Sequence, residues 1–319
     1  MAGQARGGIC LALGGGGARG FAHVGVLEVL HRQGVAVRGI VGTSSGAIAG
    51  AGYALGYHPD QMVERVLEFA ASPLAKDPRV RAMVSETQGE ACRSLGDRVG
   101  RLFCKGRLLK NLVLDQSVLG LDYFRAVVAF FLPDVMIEAC RVPFAAVATD
   151  VQSGRTVIID KGPLREAVVA SSAVPGVAPA VRHQGRALID GGVCSLVPTL
   201  EARRMGMRPL VAVCVDRDIV SDALPKLGLE LYLRAGDIQA ALLSELMLKQ
   251  ADLVLRPAVG GMHWMDHAQA SAIMAAGRRE AELRLPSIER LAQDRLGDRL
   301  GRAWRAARSA MTQRRTSEA

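Results

Sequence analysis

Gly42-Thr43-Ser44-Ser45-Gly46 constrains this chain more than any other stretch. The run Ile40-Val41, preceded by Val35-Ala36-Val37, drives into the turn, and Ala47, Ile48, Ala49 and Ala51 carry the chain out as small, helix-tolerant residues. Strand, sharp turn and helix make a nucleophile elbow, which lifts a serine hydroxyl above the carboxyl end of a strand and at the positive end of the next helix. Gly42 and Gly46 stand where a Cβ would crowd a neighbouring element. Ser44 is the candidate nucleophile. The plain alternative is a strand-to-helix turn capped by Ser44 or Ser45, and Ser45 as nucleophile would break the glycine spacing.

Upstream, Ile9-Cys10-Leu11-Ala12-Leu13 reads as a buried strand. It enters Gly14-Gly15-Gly16-Gly17-Ala18-Arg19-Gly20 and then an apolar-periodic helix (Phe21, Val24, Leu27, Val29, Leu30) that stops near Gln33-Gly34. Val37 to Val41 is the second strand. One helix joining two parallel strands brings both carboxyl ends to the same sheet edge, so the glycine loop and the Ser44 turn become neighbours. Gly15-x-Gly17-x-x-Gly20 also matches a dinucleotide fingerprint, but the acid such a site needs after the second strand is replaced by Val41-Gly42-Thr43-Ser44. Consecutive glycines at a helix start expose backbone N–H groups suited to an oxyanion hole, and Arg19 either braces the loop or faces an anionic head group.

The 319 residues suffice for one large α/β domain or two small ones, and 50% hydrophobic with 22% charged residues exclude a disordered chain. The longest apolar-rich stretch, Tyr123 to Ile137, is broken by Arg125, Pro133 and Asp134 and is too short to span a bilayer. With a polar, Gly-rich start from Met1 to Gly8, this predicts a cytoplasmic protein. Six dispersed cysteines (Cys10, Cys92, Cys104, Cys140, Cys194, Cys214) carry no C-x-x-C or Cys/His ligand spacing, so neither disulfides nor a metal or other cofactor is expected. The net charge of +9 favours polyanionic surfaces, and much of it lies in Arg302, Arg305, Arg308, Arg314 and Arg315. That tail reads as a solvated end that can also rest on anionic lipid. Nucleic acid is not an expected partner, and the oligomeric state is left open.

After the elbow come a helix to Leu55 and an amphipathic one with Met62, Val66, Leu67 and Phe69. Residues 72–122 mix basic residues (Lys76, Arg79, Arg81, Arg93, Arg98, Arg101, Lys105, Arg107, Lys110) with Leu102, Phe103, Leu108, Leu109, Leu112, Val113 and Leu114. They read as a helical cap insertion shaping access to the site, with a membrane-lying helix as the alternative. Pro143 to Asp150 and Thr156 to Ile159 form a hairpin, a short helix runs from Leu164 to Val169, and Arg186-Ala187-Leu188-Ile189 ends on Asp190-Gly191-Gly192. That places a carboxylate on a tight turn, which an Asx turn would also explain. Leu210 to Val215 is a strand, Leu227 to Gln250 a long helix and Leu253 to Leu255 a last strand; helices from His267 to Ala276 and Arg279 to Ala292 follow.

Gly15-Gly16-Gly17-Ala18-Arg19-Gly20, Gly42-Thr43-Ser44-Ser45-Gly46 and Asp190-Gly191-Gly192 occur in the order seen in patatin-like phospholipases. Ala170-Ser171-Ser172-Ala173-Val174-Pro175-Gly176 and Ala251-Asp252-Leu253-Val254-Leu255-Arg256-Pro257 are also similar, so the likeness covers about Ile9 to Ala292. The chain resembles the bacterial single-domain members, related to the esterase domain of neuropathy target esterase. The resemblance implies a single α/β domain over residues 8–295, with a mostly parallel central sheet in a three-layer α/β/α arrangement and the cap at 72–122, followed by a basic tail at 296–319. It further implies a serine lipid acyl hydrolase acting on phospholipid or lysophospholipid esters, with peripheral membrane contact through cap and tail. Ser44 would be the nucleophile, Asp190 the base and the Gly15, Gly16 and Gly17 amides the oxyanion hole. Many relatives carry an asparagine shortly after Asp-Gly-Gly; this chain has Val193-Cys194-Ser195 there, which is expected to alter support or rate.

A carboxylate with a reference pKa of about 4 is a poor base towards an alcohol, so this scheme requires a partly dry site that raises it. Two rivals stay open. One is a Ser-Asp-His triad esterase or thioesterase using His263 or His267, which follow Asp190 in the order of α/β-hydrolases. The other is a regulatory protein that binds lipid on the same fold without turnover.

Overall fold

The structure is a computed structural model that describes residues 7–87, 117–216 and 228–293. Eight strands form one sheet: β1 (Ile9–Leu13), β2 (Val37–Thr43), β3 (Phe144–Asp150), β4 (Arg155–Ile159), β5 (Val181–His183), β6 (Arg186–Asp190), β7 (Leu210–Val213) and β8 (Leu253–Leu255). Their order is β5-β6-β3-β2-β1-β7-β8, with β4 paired to β3 off that path. The pairs β1/β2, β2/β3, β1/β7 and β7/β8 are parallel, while β3/β4, β3/β6 and β5/β6 are antiparallel. The sheet is thus mostly parallel, as expected, with an antiparallel flank.

Alternation along β1 explains the three layers. Ile9, Leu11 and Leu13 join one apolar cluster, while Cys10 and Ala12 join another on the opposite face. The first face is covered by α1 (Phe21–Arg32), α2 (Ser45–Ala54), α3 (Pro59–Ala71) and α10 (Ala270–Gln293). Towards the second lie α8 (Thr199–Arg204) and the end of α9 (Gly228–Leu248). The other described helices are α4 (Pro78–Thr87), α5 (Leu121–Phe131), α6 (Leu164–Ser171) and α7 (Gly192–Ser195). Each fully buried Leu or Ile of such a core contributes about 1.5–3 kcal/mol relative to exposure. Among the described residues, no helix is long and apolar enough to cross a membrane.

The closing helices differ from the sequence expectation. Instead of two helices interrupted near Gly277, α10 is continuous from Ala270 to Gln293. Gly277 permits a helix crossing there: a Cβ on it would run into the Ala22 carbonyl of α1, and one on Gly25 into the Met274 carbonyl of α10. The ion pairs Arg278–Glu28 (2.8 Å) and Arg32–Glu282 (2.7 Å) flank the crossing. Gly277→Ala is expected to destabilise the protein by about 3 kcal/mol, because overpacking against backbone outweighs alanine's helix advantage of about 1 kcal/mol. The denaturation midpoint in urea checks this. Leu67, expected on the buried face of α3, is 43% exposed, since Met62, Val66 and Phe69 already fill that face. Strand β5 was not anticipated; three residues carry too little pattern. Most of the expected cap (88–116) and the whole basic tail (294–319) lie outside the described residues.

Candidate active site

Register brings the motifs to one sheet edge. Leu13 lies opposite Gly42, so the glycine loop leaves β1 beside the end of β2. Thr43 is level with Val147 of β3, and Ala148 is level with Asp190 of β6. Strand β6 runs antiparallel to β3, so its last residue falls at the level of the elbow. Gly191 then crosses over β3, where a Cβ would run into the Val147 carbonyl and stand 3.1 Å from Thr43 Cγ2. A side chain there would push the carboxylate away from the elbow.

Ser44 has φ 53° and ψ −121°, a left-handed conformation that a residue with a Cβ holds only under strain. Its neighbours impose this geometry. Gly46 lies against the Leu13 carbonyl, and the Ser44 carbonyl accepts from the Ala47 and Ile48 amides at 2.9 and 3.1 Å, starting α2. The Ser44 N–H donates to Ser171 Oγ at 2.9 Å, and Ser171 Oγ donates to the Val147 carbonyl at 2.6 Å. The Ser171 hydroxyl therefore rivets the elbow to β3. Ser45 lies with its hydroxyl against Gly20.

Asp190 is 6% exposed. Burial pushes its carboxyl up to about 6, against opposing hydrogen bonds from the Gly192 amide (2.6 Å) and the Ser44 hydroxyl. Ser44 is the one side chain among the groups that act on this carboxyl, and burial gives the carboxyl the raised basicity that a dry site supplies.

The glycine loop is pinned at both ends. Gly14 N–H donates to the Val213 carbonyl (3.0 Å), Gly15 N–H to the Leu196 carbonyl (2.9 Å) and Ala18 N–H to the Trp264 carbonyl (2.6 Å). The Gly15 amide expected to face an oxyanion is therefore already engaged. Gly15 instead provides close approach, since a Cβ on it would stand 3.3 Å from Ser44 Cβ. Among the described residues, the amides of Gly16 and Gly17 have no backbone acceptor elsewhere. Arg19 is buried and donates from Nε to the Gly16 carbonyl at 3.3 Å, which braces the loop.

His23, Ser171 and Glu201 take part without having been assigned a role from sequence. His23 is fully buried, burial lowers its pKa to about 4, and its Nε2–H donates to the Gly14 carbonyl at 2.7 Å. A histidine on the apolar face of α1, directly after the glycines, was the available signal. In the departure Val193-Cys194-Ser195, the Ser195 carbonyl accepts from Thr43 Oγ1 at 2.9 Å and the Ser195 hydroxyl donates to Glu201 Oε2 at 2.6 Å. Those residues anchor the elbow to the Asp190 turn.

The two triad histidines stand apart from the carboxylate. His267 packs between Phe21 and Phe69 (ring centroids 6.0 and 5.1 Å). Burial pushes it down to about 4. His263 Nδ1 accepts from the Met265 amide at 3.2 Å. Neither is among the groups acting on Asp190.

Ser44 opens onto a cavity of about 1070 Å³, mouth included. Its walls come from α2, α3, α5 and the loop at Trp264-Met265 and are mainly apolar. The chain is only 4% aromatic, yet more than half of its aromatic residues, Phe21, Tyr57, Phe69 and Phe131 among them, line this space.

A family model described as Patatin-like phospholipase matches residues 11–203. An NTE family protein of Mycobacterium tuberculosis is 33% identical over 211 residues, covering 66% of this chain and 48% of that protein. The Lysophospholipase NTE1 of Eremothecium gossypii is 28% identical over 227 residues, 70% of this chain and 13% of that protein. The chain spans about half the length of the mycobacterial relatives it matches. Among solved structures, VipD from Legionella pneumophila aligns with a TM-score of 0.45 at 13% identity, covering 89% of this chain and 67% of that one.

Proposed function

This chain belongs to the patatin-like phospholipase family, and on that premise we propose that it hydrolyses carboxylic esters of phospholipids, lysophospholipids or related acyl lipids through Ser44 and Asp190. One observation carries the reading: a strained serine at the wall of an apolar cavity, next to a buried aspartate whose basicity burial raises.

In the first half-reaction Ser44 Oγ attacks the ester carbonyl carbon as its proton passes to Asp190. The carbonyl oxygen becomes an oxyanion beside the Gly16 and Gly17 amides, at the positive end of α2. Collapse breaks the bond to the alcohol, which leaves with the proton from Asp190, and the acyl group stays on Ser44. Water then attacks the acyl-enzyme, giving its proton to Asp190; the collapsing intermediate returns that proton to Ser44 Oγ and frees the fatty acid. A carboxyl titrating near 6 is ionised at neutral pH yet basic enough to take part.

Fluorophosphonate labelling with peptide mapping tests this. Label on Ser44, prevented by prior incubation with a lysophospholipid, is the expected result. Folded protein that takes no label and turns over no ester would sink the hydrolase reading and leave lipid binding without turnover.

A further inference from the structure

Helix α2 contains three glycines in ten residues, and each weakens a helix by about 1 kcal/mol relative to alanine. Two have a packing reason. Gly46 lies against the Leu13 carbonyl, and a Cβ on Gly50 would stand 2.8 Å from Ile40 Cγ2. Gly52 has none: a Cβ there would rest at ordinary van der Waals distance, 3.5 Å from Tyr57 Cδ2 and 3.6 Å from Met62 Cε. It is buried, helical, and lines the cavity that starts at Ser44.

The other lining residues of α2 are Ser45, Ile48 and Ala49, so the cavity follows one face of the helix away from the nucleophile. Eight residues of helix separate Ser44 from Gly52, a reach of about 12 Å. Beyond Gly52 the chain turns back: Tyr57 N–H donates to the Gly52 carbonyl (3.1 Å) and Gly56 N–H to the Tyr53 carbonyl (2.9 Å), with Gly56 at φ 93°. This Schellman closure sets the Tyr57 ring over Gly52 as the far wall.

We infer that Gly52 is the length gauge of the acyl pocket, kept without a side chain so that an acyl chain attached at Ser44 can run along α2 to Tyr57. This rests on the hydrolase reading for its catalytic readout, while the cavity itself can be probed by binding alone. The substrate class is a single medium-length acyl chain per turnover, lying between the small residues of α2 and the side chains of Met62 and Tyr57. Space at position 52 serves the ligand, and the empty protein gives up helix stability for it.

The test compares wild type, Gly52→Ala and Gly52→Leu by the ratio of kcat/KM for p-nitrophenyl decanoate to that for p-nitrophenyl butyrate, so that a general loss of activity cancels. Calorimetric titration with decanoate and thermal melting accompany it. Gly52→Leu is expected to lower the ratio about a hundredfold, as three to four methylenes lose their burial at about fourfold each. Gly52→Ala lowers it by about fourfold and raises the melting temperature by about 1–3 °C. An unchanged ratio in folded Gly52→Leu overturns the proposal. If wild type turns over neither ester, the hydrolase reading fails instead. Decanoate binding weakened by Gly52→Leu then still supports the gauge, and unweakened or absent binding overturns it.

Discussion

Ser44→Ala is expected to lower ester kcat by about a millionfold, the scale of losing a serine nucleophile outright. The same position carries a second expected result, in stability. At φ 53° and ψ −121° the backbone of residue 44 is strained for anything with a Cβ, and the Ser171 hydroxyl and the start of α2 hold it there. Alanine keeps the Cβ and leaves stability near wild type. Ser44→Gly removes it and gains about 1 kcal/mol, less than the full strain because glycine also loosens the unfolded chain. Urea midpoints of the three proteins decide the matter. A glycine variant less stable than the alanine one would show that the elbow is relaxed and that its geometry has another cause.

Asp190→Asn is expected to lower turnover by about 10⁴-fold while making the protein more stable. Asparagine keeps an oxygen for the Gly192 amide but cannot take the Ser44 proton. The stability gain follows from burial. The folded carboxyl titrates near 6, the unfolded one near the model value of 3.8, so the folded state binds the proton more tightly. Stability from this group is therefore highest below pH 3.8, falls as pH rises through 6, and is lower by about 3 kcal/mol above that. Asp190→Asn escapes that loss. Its advantage is largest at pH 8, shrinks below pH 6 and vanishes towards pH 4. The same titration sets the acid limb of wild-type kcat/KM, falling tenfold per pH unit below about 6. Denaturation at pH 5 and pH 8, with a pH–rate profile, checks both; an acid limb near pH 4 would remove the dry-carboxylate argument.

Much of the fold, and the turns that carry the candidate residues Ser44 and Asp190, were legible because the signals are local. Ile9 to Leu13 announces a strand, four glycines a loop, and Gly42 to Gly46 an elbow, each within a few residues. The supports were not legible, since they are contacts between distant segments. Ser171 meets the Ser44 amide across 127 residues of sequence, and Thr43 meets the Ser195 carbonyl across 152. His23 is one polar residue in an apolar helix, and nothing local in the sequence shows that its ring meets the Gly14 carbonyl. Gly277 carried a misleading signal, because a glycine that breaks a helix and one that lets two helices touch read alike in sequence. The scarcity of aromatic residues concealed the pocket, since only the fold gathers Phe69 of α3, Phe131 of α5 and Tyr57 of the turn between α2 and α3.

The sheet order also has a consequence for the nascent chain. Strand β1 sits between β2, which follows at once, and β7, which is made about 200 residues later; the partner of Ser44 arrives on β6, about 150 residues after the elbow. At a synthesis rate of about 5–20 residues per second, Ser44 is made some 7–30 s before Asp190 exists. On the proposed reading, the elbow is therefore without its carboxylate until about 190 residues have been made, and the site is complete only once β6 pairs with β3.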